Sequence, residues 1–162
     1  MTTTSHSLTS RPVILVVDDV AANLIALEAM LRRDDIEIVT VSSGASALEV
    51  LLARDVALAI IDVQMPEMDG FALAELMRGV EKTRFVPIIF VTAGARDQSR
   101  VFQGYDAGAV DFLFKPIEPH ILRGKVEVFA TLERQRQQLR EQDRMREMFM
   151  GILGHDLRNP LS

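Results

Sequence analysis

The sequence contains no cysteine in its 162 residues, which excludes a disulfide scaffold, a zinc–thiolate site and a cysteine nucleophile. It also lacks any apolar run near the roughly 20 residues that a membrane span needs. Residues 1–11 have no apolar centre, so we interpret them as a disordered tail rather than a secretory signal. Positive charge is not in excess either, because 18 basic and 23 acidic residues give a net charge of −5. We therefore predict a cytoplasmic protein with neither nucleic acid nor membrane as a partner.

Charge divides the chain into two parts. Residues 13–117 hold 16 acids and 9 bases, a net charge of −7, whereas the rest hold 7 acids and 9 bases, a net charge of +2. The first part has most of the glycine and β-branched residues, and the part from about Pro119 is rich in Arg, Gln, Glu, Leu and Met. This change predicts a compact domain followed by a long helix.

Five short apolar stretches alternate with helix-like patterns in the first part. Runs without polar alternation, at 13–17, 57–61 and 87–91, are typical of strands that are covered on both faces of a parallel sheet. Weaker strand candidates lie at 37–41 and 111–114. Between the strands, apolar residues recur at helical spacing. The alternation predicts an α/β fold, a doubly wound five-stranded parallel sheet with right-handed crossovers.

Polar residues end these strands, at the edge of the sheet where the carboxyl ends of parallel strands meet. They are Asp18, Asp19, Asp62, Thr92 and Lys115. Three ionised carboxylates need positive charge between them, and their oxygens suit Mg²⁺, with the lysine as a second cation. Such a site could receive a phosphoryl group, with Asp62 as the nucleophile. Taken singly, the two N-terminal aspartates would be helix N-caps, and the threonine and lysine ordinary polar side chains.

Four motifs carry these residues: VDD at 17–19, DVQMPEMDG at 62–70, PIIFVTA at 87–93 and DFLFKP at 111–116. Together they resemble the receiver domain of bacterial two-component response regulators over about residues 12–122. The resemblance implies a flavodoxin-like fold and phosphorelay signalling. It also implies that a histidine kinase or a phosphotransfer protein is the phosphodonor.

The resemblance assigns a role to each acidic residue. It implies that Asp62 is the phosphoacceptor and that Asp18, Asp19 and Asp62 hold Mg²⁺. The backbone carbonyl of Gln64 would complete the metal's coordination shell.

The remaining motif residues would respond to phosphorylation. The resemblance implies that Thr92 and Lys115 contact the phosphoryl oxygens as catalytic residues, and that the Lys115–Pro116 bond is cis. Thr92 would move inward on phosphorylation, and Phe112, the second switch residue, would enter the space that it leaves. The response would be displayed on the face formed by residues 98–128.

The second part of the chain predicts one helix of about forty residues, because Pro119 suits a first turn and no proline follows until Pro160. We interpret residues 123–148 as a coiled-coil linker, continuous with the last helix of the domain, that forms a parallel homodimer. A solvated single helix is the alternative. Apolar residues near heptad spacing, interrupted by three polar ones, form the seam (Val128, Leu132, Gln135, Leu139, Gln142, Arg146, Phe149 and Leu153).

Residues 149–162 resemble the H-box that begins the dimerisation domain of histidine kinases. The resemblance implies that His155 is the phosphoacceptor imidazole in a full-length kinase and that Asp156 is the acid or base beside it. Asn159 would position a water, and Pro160 would kink the helix. Because the sequence has no GxxxxGK nucleotide loop, we expect a fragment of a hybrid sensor histidine kinase, in which the receiver acts on the kinase core through the helix.

Other functions stay open at this point. A phosphorylation-independent dimerisation scaffold is possible, although the complete acidic site argues against it. A metal-dependent phosphatase on a related fold would need a second acid two residues after the nucleophile, where this chain has Gln64. A response regulator with another output is the remaining alternative.

Overall fold

The computed structural model describes residues 10–93, 98–109 and 111–158. Within these ranges strands and helices alternate along the chain as the sequence predicts. The elements are β1 (Val13–Val17), α1 (Ala21–Leu31), β2 (Glu37–Val41), α2 (Gly44–Ala53), β3 (Val56–Asp62), α3 (Gly70–Arg78), β4 (Ile88–Ala93), α4 (Gln98–Asp106), β5 (Asp111–Lys115) and α5 (Pro119–Arg158).

The five strands form one parallel sheet in the order β2-β1-β3-β4-β5, which confirms the predicted fold class. The order reverses between β1 and β3, so the two strands that carry the aspartates are neighbours. Strand β3 extends one residue beyond the predicted run at each end, and its last residue is Asp62. Strand β4 likewise continues through Thr92. Both side chains therefore belong to the sheet itself, which fixes their directions.

The core consists of two apolar clusters, one on each face of the sheet. Alternate residues of β1 divide between them, because successive strand side chains point to opposite faces. One cluster joins the sheet to α2, α3 and α4, and the other joins it to α1 and α5. Covering on both faces explains why β1 and β3 are buried along their whole length.

Helix α5 has 40 residues, which confirms the predicted long helix and corresponds to about 60 Å. Its first turns pack on the domain through Leu122, Val126 and Ala130, all of which are buried. The apolar seam residues from Val128 to Leu153 are 41% to 62% exposed. The helix thus starts as part of the domain and continues beyond it. Within the described residues, no helix is both long enough and apolar enough to cross a membrane.

Candidate functional site

Three carboxylates meet at the carboxyl edge of the sheet. Asp18 and Asp19 follow β1 directly, and Asp62 ends the adjacent β3. One oxygen of each lies within 4.8 Å of the other two. The structure therefore brings together the three acids that the sequence singled out.

Hydrogen bonds from α1 orient the Asp18 side chain. Its Oδ1 accepts from the backbone N–H of Val20 at 2.9 Å, and its Oδ2 accepts from Asn23 Nδ2 at 3.0 Å. The N-cap residue of α1 is Val20, which makes no side-chain cap bond, so the aspartates do not cap this helix as their isolated positions suggested. Sequence reasoning missed Asn23, whose only signal was a polar residue in the first turn of a largely apolar helix.

Lys115, the last residue of β5, brings one positive charge to the acidic site. Its Nζ lies 3.6 Å from Asp18 Oδ2 and 3.6 Å from Asp62 Oδ1. These are ion-pair distances, longer than a direct hydrogen bond. Among the described residues, this one ammonium is set against three carboxylates, which leaves negative charge in excess.

The excess of negative charge affects Asp62 most. Burial of its carboxyl group, with the negative charges of Asp18 and Asp19, raises the pKa of Asp62 to about 6. Lys115 and the backbone N–H of Gln64 act in the opposite direction, but they do not cancel these effects. A divalent cation among the carboxylates would relieve the repulsion, and an all-oxygen donor set suits Mg²⁺. The residues present therefore fit a magnesium ion.

The loop between β3 and α3 shapes the opening beside Asp62. A Cβ added to Gly70 would lie 2.5 Å from the backbone oxygen of Asp62, so only glycine lets the chain pass so close. Asp69 caps α3, because its side chain accepts from the Ala72 N–H at 2.8 Å. A cleft of about 520 Å³ lies next to this loop and is bordered by Asp19 and Gln64 among others. The cleft therefore opens beside Asp19, the exposed carboxylate of the three.

Glu67, in the middle of this loop, has a left-handed backbone with φ of 67°. A side chain with a Cβ adopts this conformation only at a cost in free energy. Its only signal in the sequence is the turn-forming pair of neighbours, Pro66 and Gly70.

The two predicted switch residues are both buried. Thr92 lies one position beyond the β4 residue that pairs with Asp62, so it is a close neighbour of the acidic site. The Phe112 ring lies 5.6 Å from that of Phe90 and 5.4 Å from that of Tyr105. Phe112 therefore lies in the interior beside α4, and its predicted movement into the space left by Thr92 stays a prediction. A ring without a hydroxyl has no polar atom to keep near water, which explains the inward position.

Gly104 of α4 makes the room for this ring. A Cβ at that position would lie 2.1 Å from Phe112 Cζ. The Lys115–Pro116 peptide bond, at the end of β5, is cis as predicted.

Residues 149–158, the described part of the segment that resembles an H-box, form the last turns of α5. His155 and Asp156 belong to the helix, as its bounds show, and nothing is described of their side chains. Asn159 and Pro160 lie outside the described residues. The roles predicted for these four residues therefore stay predictions.

Comparison with known proteins finds a matching family and similar chains. A family model described as the response regulator receiver domain matches residues 14–127. The response regulator PleD of Caulobacter vibrioides is 37% identical over 131 residues, which are 80% of this chain and 28% of that protein. The chain thus spans little more than a quarter of this curated relative.

Two solved structures share the fold. A response regulator receiver protein from Pseudomonas putida is 30% identical with a TM-score of 0.65, and the match covers 76% of this chain and 98% of that one. The signal receiver domain of a signal transduction histidine kinase from Syntrophus aciditrophicus is also 30% identical, with a TM-score of 0.66. That match covers 74% of this chain and 90% of the other.

Proposed function

This chain belongs to the response regulator receiver domain family, and from that premise we propose that Asp62 accepts a phosphoryl group in a Mg²⁺-dependent reaction. Receiver domains act in phosphorelay signalling, and they take phosphoryl groups from histidine kinases or phosphotransfer proteins. The observation that carries the proposal is the convergence of Asp18, Asp19 and Asp62 with Lys115 at the sheet edge, where burial and the neighbouring carboxylates raise the pKa of Asp62 to about 6.

In the proposed reaction, a carboxylate oxygen of Asp62 attacks the phosphorus of a phosphohistidine. The new O–P bond forms as the N–P bond breaks, and the imidazole leaves with the electron pair. Lys115, already 3.6 Å from Asp62, would balance negative charge on the transferred group, and the Thr92 hydroxyl would donate to one of its oxygens. Asp18 and its hydrogen-bond donor Asn23 would hold the acidic site in place during the transfer.

The metal would be held by Asp18, Asp19, Asp62 and the backbone carbonyl of Gln64. Mg²⁺ in this position supplies positive charge to the phosphoryl oxygens. The fit of the donor set supports this assignment, because hard oxygen ligands and an uncompensated negative charge are what a small divalent cation requires.

We propose further that α5 passes the phosphorylation state to a histidine kinase core as a parallel homodimer. The support is the continuity of α5, which packs on the domain at Leu122 and Val126 and runs on to His155 without a break. The exposed seam from Val128 to Leu153 offers a second copy an apolar stripe at heptad spacing. In a full-length kinase, His155 would be phosphorylated and Asp156 would assist it.

Labelling with a small-molecule phosphodonor tests the proposal. We expect one base-labile phosphoryl group per chain, dependent on Mg²⁺ and absent in Asp62→Asn. Failure of the wild-type chain to take up any label would favour the phosphorylation-independent scaffold. Continuous release of phosphate without stable label would favour a phosphatase.

A further inference from the structure

Four charged side chains form a closed ring where α5 passes the loop between α1 and β2. Arg33 pairs with Asp35 and with Glu127, and Arg134 pairs with the same two carboxylates. Arg33 and Asp35 belong to the loop, residues 32–36, whereas Glu127 and Arg134 belong to α5. Positive and negative groups therefore alternate around the ring, and their charges cancel. These four residues are called the charge ring below.

Hydrogen bonds define the geometry of the charge ring. Arg33 Nε donates to Asp35 Oδ1 at 2.7 Å and a terminal nitrogen of Arg33 donates to Oδ2, a two-point contact that orients the carboxylate. Arg134 donates to Asp35 at 2.9 Å and to Glu127 at 3.2 Å, so it bridges the loop and its own helix. The hydrogen bonds from Arg33 lower the pKa of both the Asp35 and the Glu127 carboxyl group. The charge ring is therefore fully ionised at neutral pH.

The charge ring lies at the point where the burial of α5 ends. Ala130 is buried, but from residue 131 to 154, where the side chains of α5 are described, none is buried. Arg134 follows Ala130 by about one helical turn, so its bond to Asp35 ties α5 to the domain past the last buried contact. Glu133, which is 13% exposed, pairs with Arg136 of its own helix instead. The charge ring thus supplies the ion pairs between this part of α5 and the domain among the described residues.

On another side, α5 faces open space. A groove of about 450 Å³ separates it from the loop between α3 and β4, residues 79–87. A second cavity, of about 360 Å³, separates it from residues 10–12 before β1. Glu133 and Arg140 border both spaces. Because these spaces leave room for α5 to tilt, packing beyond Ala130 does not by itself fix the direction of the helix.

A small tilt at this point has a large effect further along the helix. Phe149 follows Ala130 at a distance of about 28 Å, at 1.5 Å per residue, so a tilt of about 20° moves it by about 10 Å. A tenfold preference for one direction needs only about 1.4 kcal/mol. Ion pairs linked in a network can supply this preference, although isolated exposed pairs contribute little to stability.

We infer that the charge ring is an electrostatic latch on α5. While it is closed, it fixes the direction in which residues 131–154 leave the domain, and when it is screened or broken, these residues tilt about Ala130. Each of its side chains is 30% to 47% exposed, so dissolved salt reaches it and the direction of α5 depends on ionic strength. The inference goes beyond the function proposed above, since it requires neither phosphorylation of Asp62 nor pairing of α5.

Distances between two spin labels, measured by pulsed electron paramagnetic resonance, test the inference. The chain has no cysteine, so Leu52→Cys on α2 and Met145→Cys on α5 provide two exposed label sites. Labelled chain is diluted with excess unlabelled chain, so that every measured distance lies within one protomer. We expect Arg134→Gln to widen the distance distribution about twofold at low salt, because two of the four ion pairs are lost. About 1 M NaCl should widen the wild-type distribution similarly and change the variant little.

Arg136→Gln is the matched control. It removes the same type of side chain from the same helix, but the ion pair that it breaks is with Glu133 of α5, so the distribution should stay as in wild type. Asp35→Asn should act as Arg134→Gln does, and the two changes together should add little to either alone. The helix content measured by circular dichroism should not change, since glutamine and arginine have similar helix propensities.

Several results would overturn the inference. If Arg134→Gln leaves the distribution as narrow as in wild type, or if Arg136→Gln widens it equally, the charge ring does not set the direction of α5. If the widening is accompanied by loss of helix, the ring keeps α5 folded and is not a latch. A wild-type distribution that does not respond to salt would contradict the electrostatic origin of the effect.

Discussion

The side chain that we propose as nucleophile lies in surroundings that favour its protonated form. Burial and two neighbouring carboxylates raise the pKa of Asp62 to about 6. Between its ordinary pKa of 3.8 and this value, the folded chain binds more protons than the unfolded chain. Stability therefore falls as the pH rises through this range, and above it the ionised site lowers the free energy of unfolding. This loss of stability is the physical reason to expect a cation there.

Asp62→Asn should therefore stabilise the metal-free chain at neutral pH. The shift of about two units corresponds to roughly 1 to 3 kcal/mol, and the gain should vanish below about pH 4, where the wild-type carboxyl is protonated. Urea unfolding in a chelator, at neutral pH and below about pH 4, measures the difference in the free energy of unfolding between the variant and wild type. Asp34→Asn, which changes an exposed carboxylate outside the site, is the control. Equal stability of wild type and Asp62→Asn at pH 7.5 would contradict the account of the site.

Glu67 gives a second prediction at this scale. Because its φ of 67° is unfavourable for a residue with a Cβ, Glu67→Gly should raise the free energy of unfolding by about 0.5 to 1 kcal/mol. Glu67→Ala keeps the Cβ and should give no such gain. Thermal unfolding of the two variants checks the prediction, and a stabilising alanine would point to removal of charge instead.

Packing between elements determines where the ring of Phe112, the second predicted switch residue, lies. Phe112 of β5 fits against α4 only because Gly104 has no side chain. The same strand is tied to α5, since the Asp111 carboxylate accepts from the Phe112 N–H at 2.7 Å and pairs with Lys125. The position of Phe112 thus depends on two helices of the predicted output face.

Gly104→Ala should displace the Phe112 ring and cost about 1 to 3 kcal/mol, as added volume does in a packed core. In a background of Phe112→Leu the same substitution should cost clearly less, because its main clash is gone. A double-mutant cycle from urea unfolding measures the difference. Equal costs in both backgrounds would mean that the ring does not occupy this position.

The elements could be predicted from the sequence where the signal is local. The β-branched run at 13–17 predicts a strand of the sheet. Asp62, an acid at the end of another strand, predicts that carboxylates lie at the edge of that sheet. Individual side-chain contacts gave no such signal: Asn23 donates to the nearby Asp18 at the start of a helix, and Gly104 shapes the site of a ring in another element. Such contacts depend on the positions of particular side chains in three dimensions rather than on periodicity.

At the scale of the whole molecule, α5 begins within the domain and continues beyond it. Its first turns are fastened by apolar burial and by ion pairs, among them those of Arg134 with Asp35 and of Arg33 with Glu127. The apolar contacts are expected to dominate, since exposed ion pairs contribute little. A helix that is fixed at its base can carry a displacement of the domain along its length.

Leu122→Ala tests this attachment. Leu122 is fully buried, so the substitution should cost about 2 to 4 kcal/mol. Its neighbour Ile121 is 43% exposed, and Ile121→Ala should cost less than about 1 kcal/mol. Urea unfolding of the two variants makes the comparison. Similar losses in both would mean that α5 does not pack on the sheet as described.

The most direct measurement is intact-protein mass spectrometry after exposure to a small-molecule phosphodonor, with peptide mapping of the product. The account predicts one added phosphoryl group, located on Asp62, in the presence of Mg²⁺, and none in a chelator or in Asp62→Asn. An added group that maps to another residue, or that persists without a divalent cation, would contradict it.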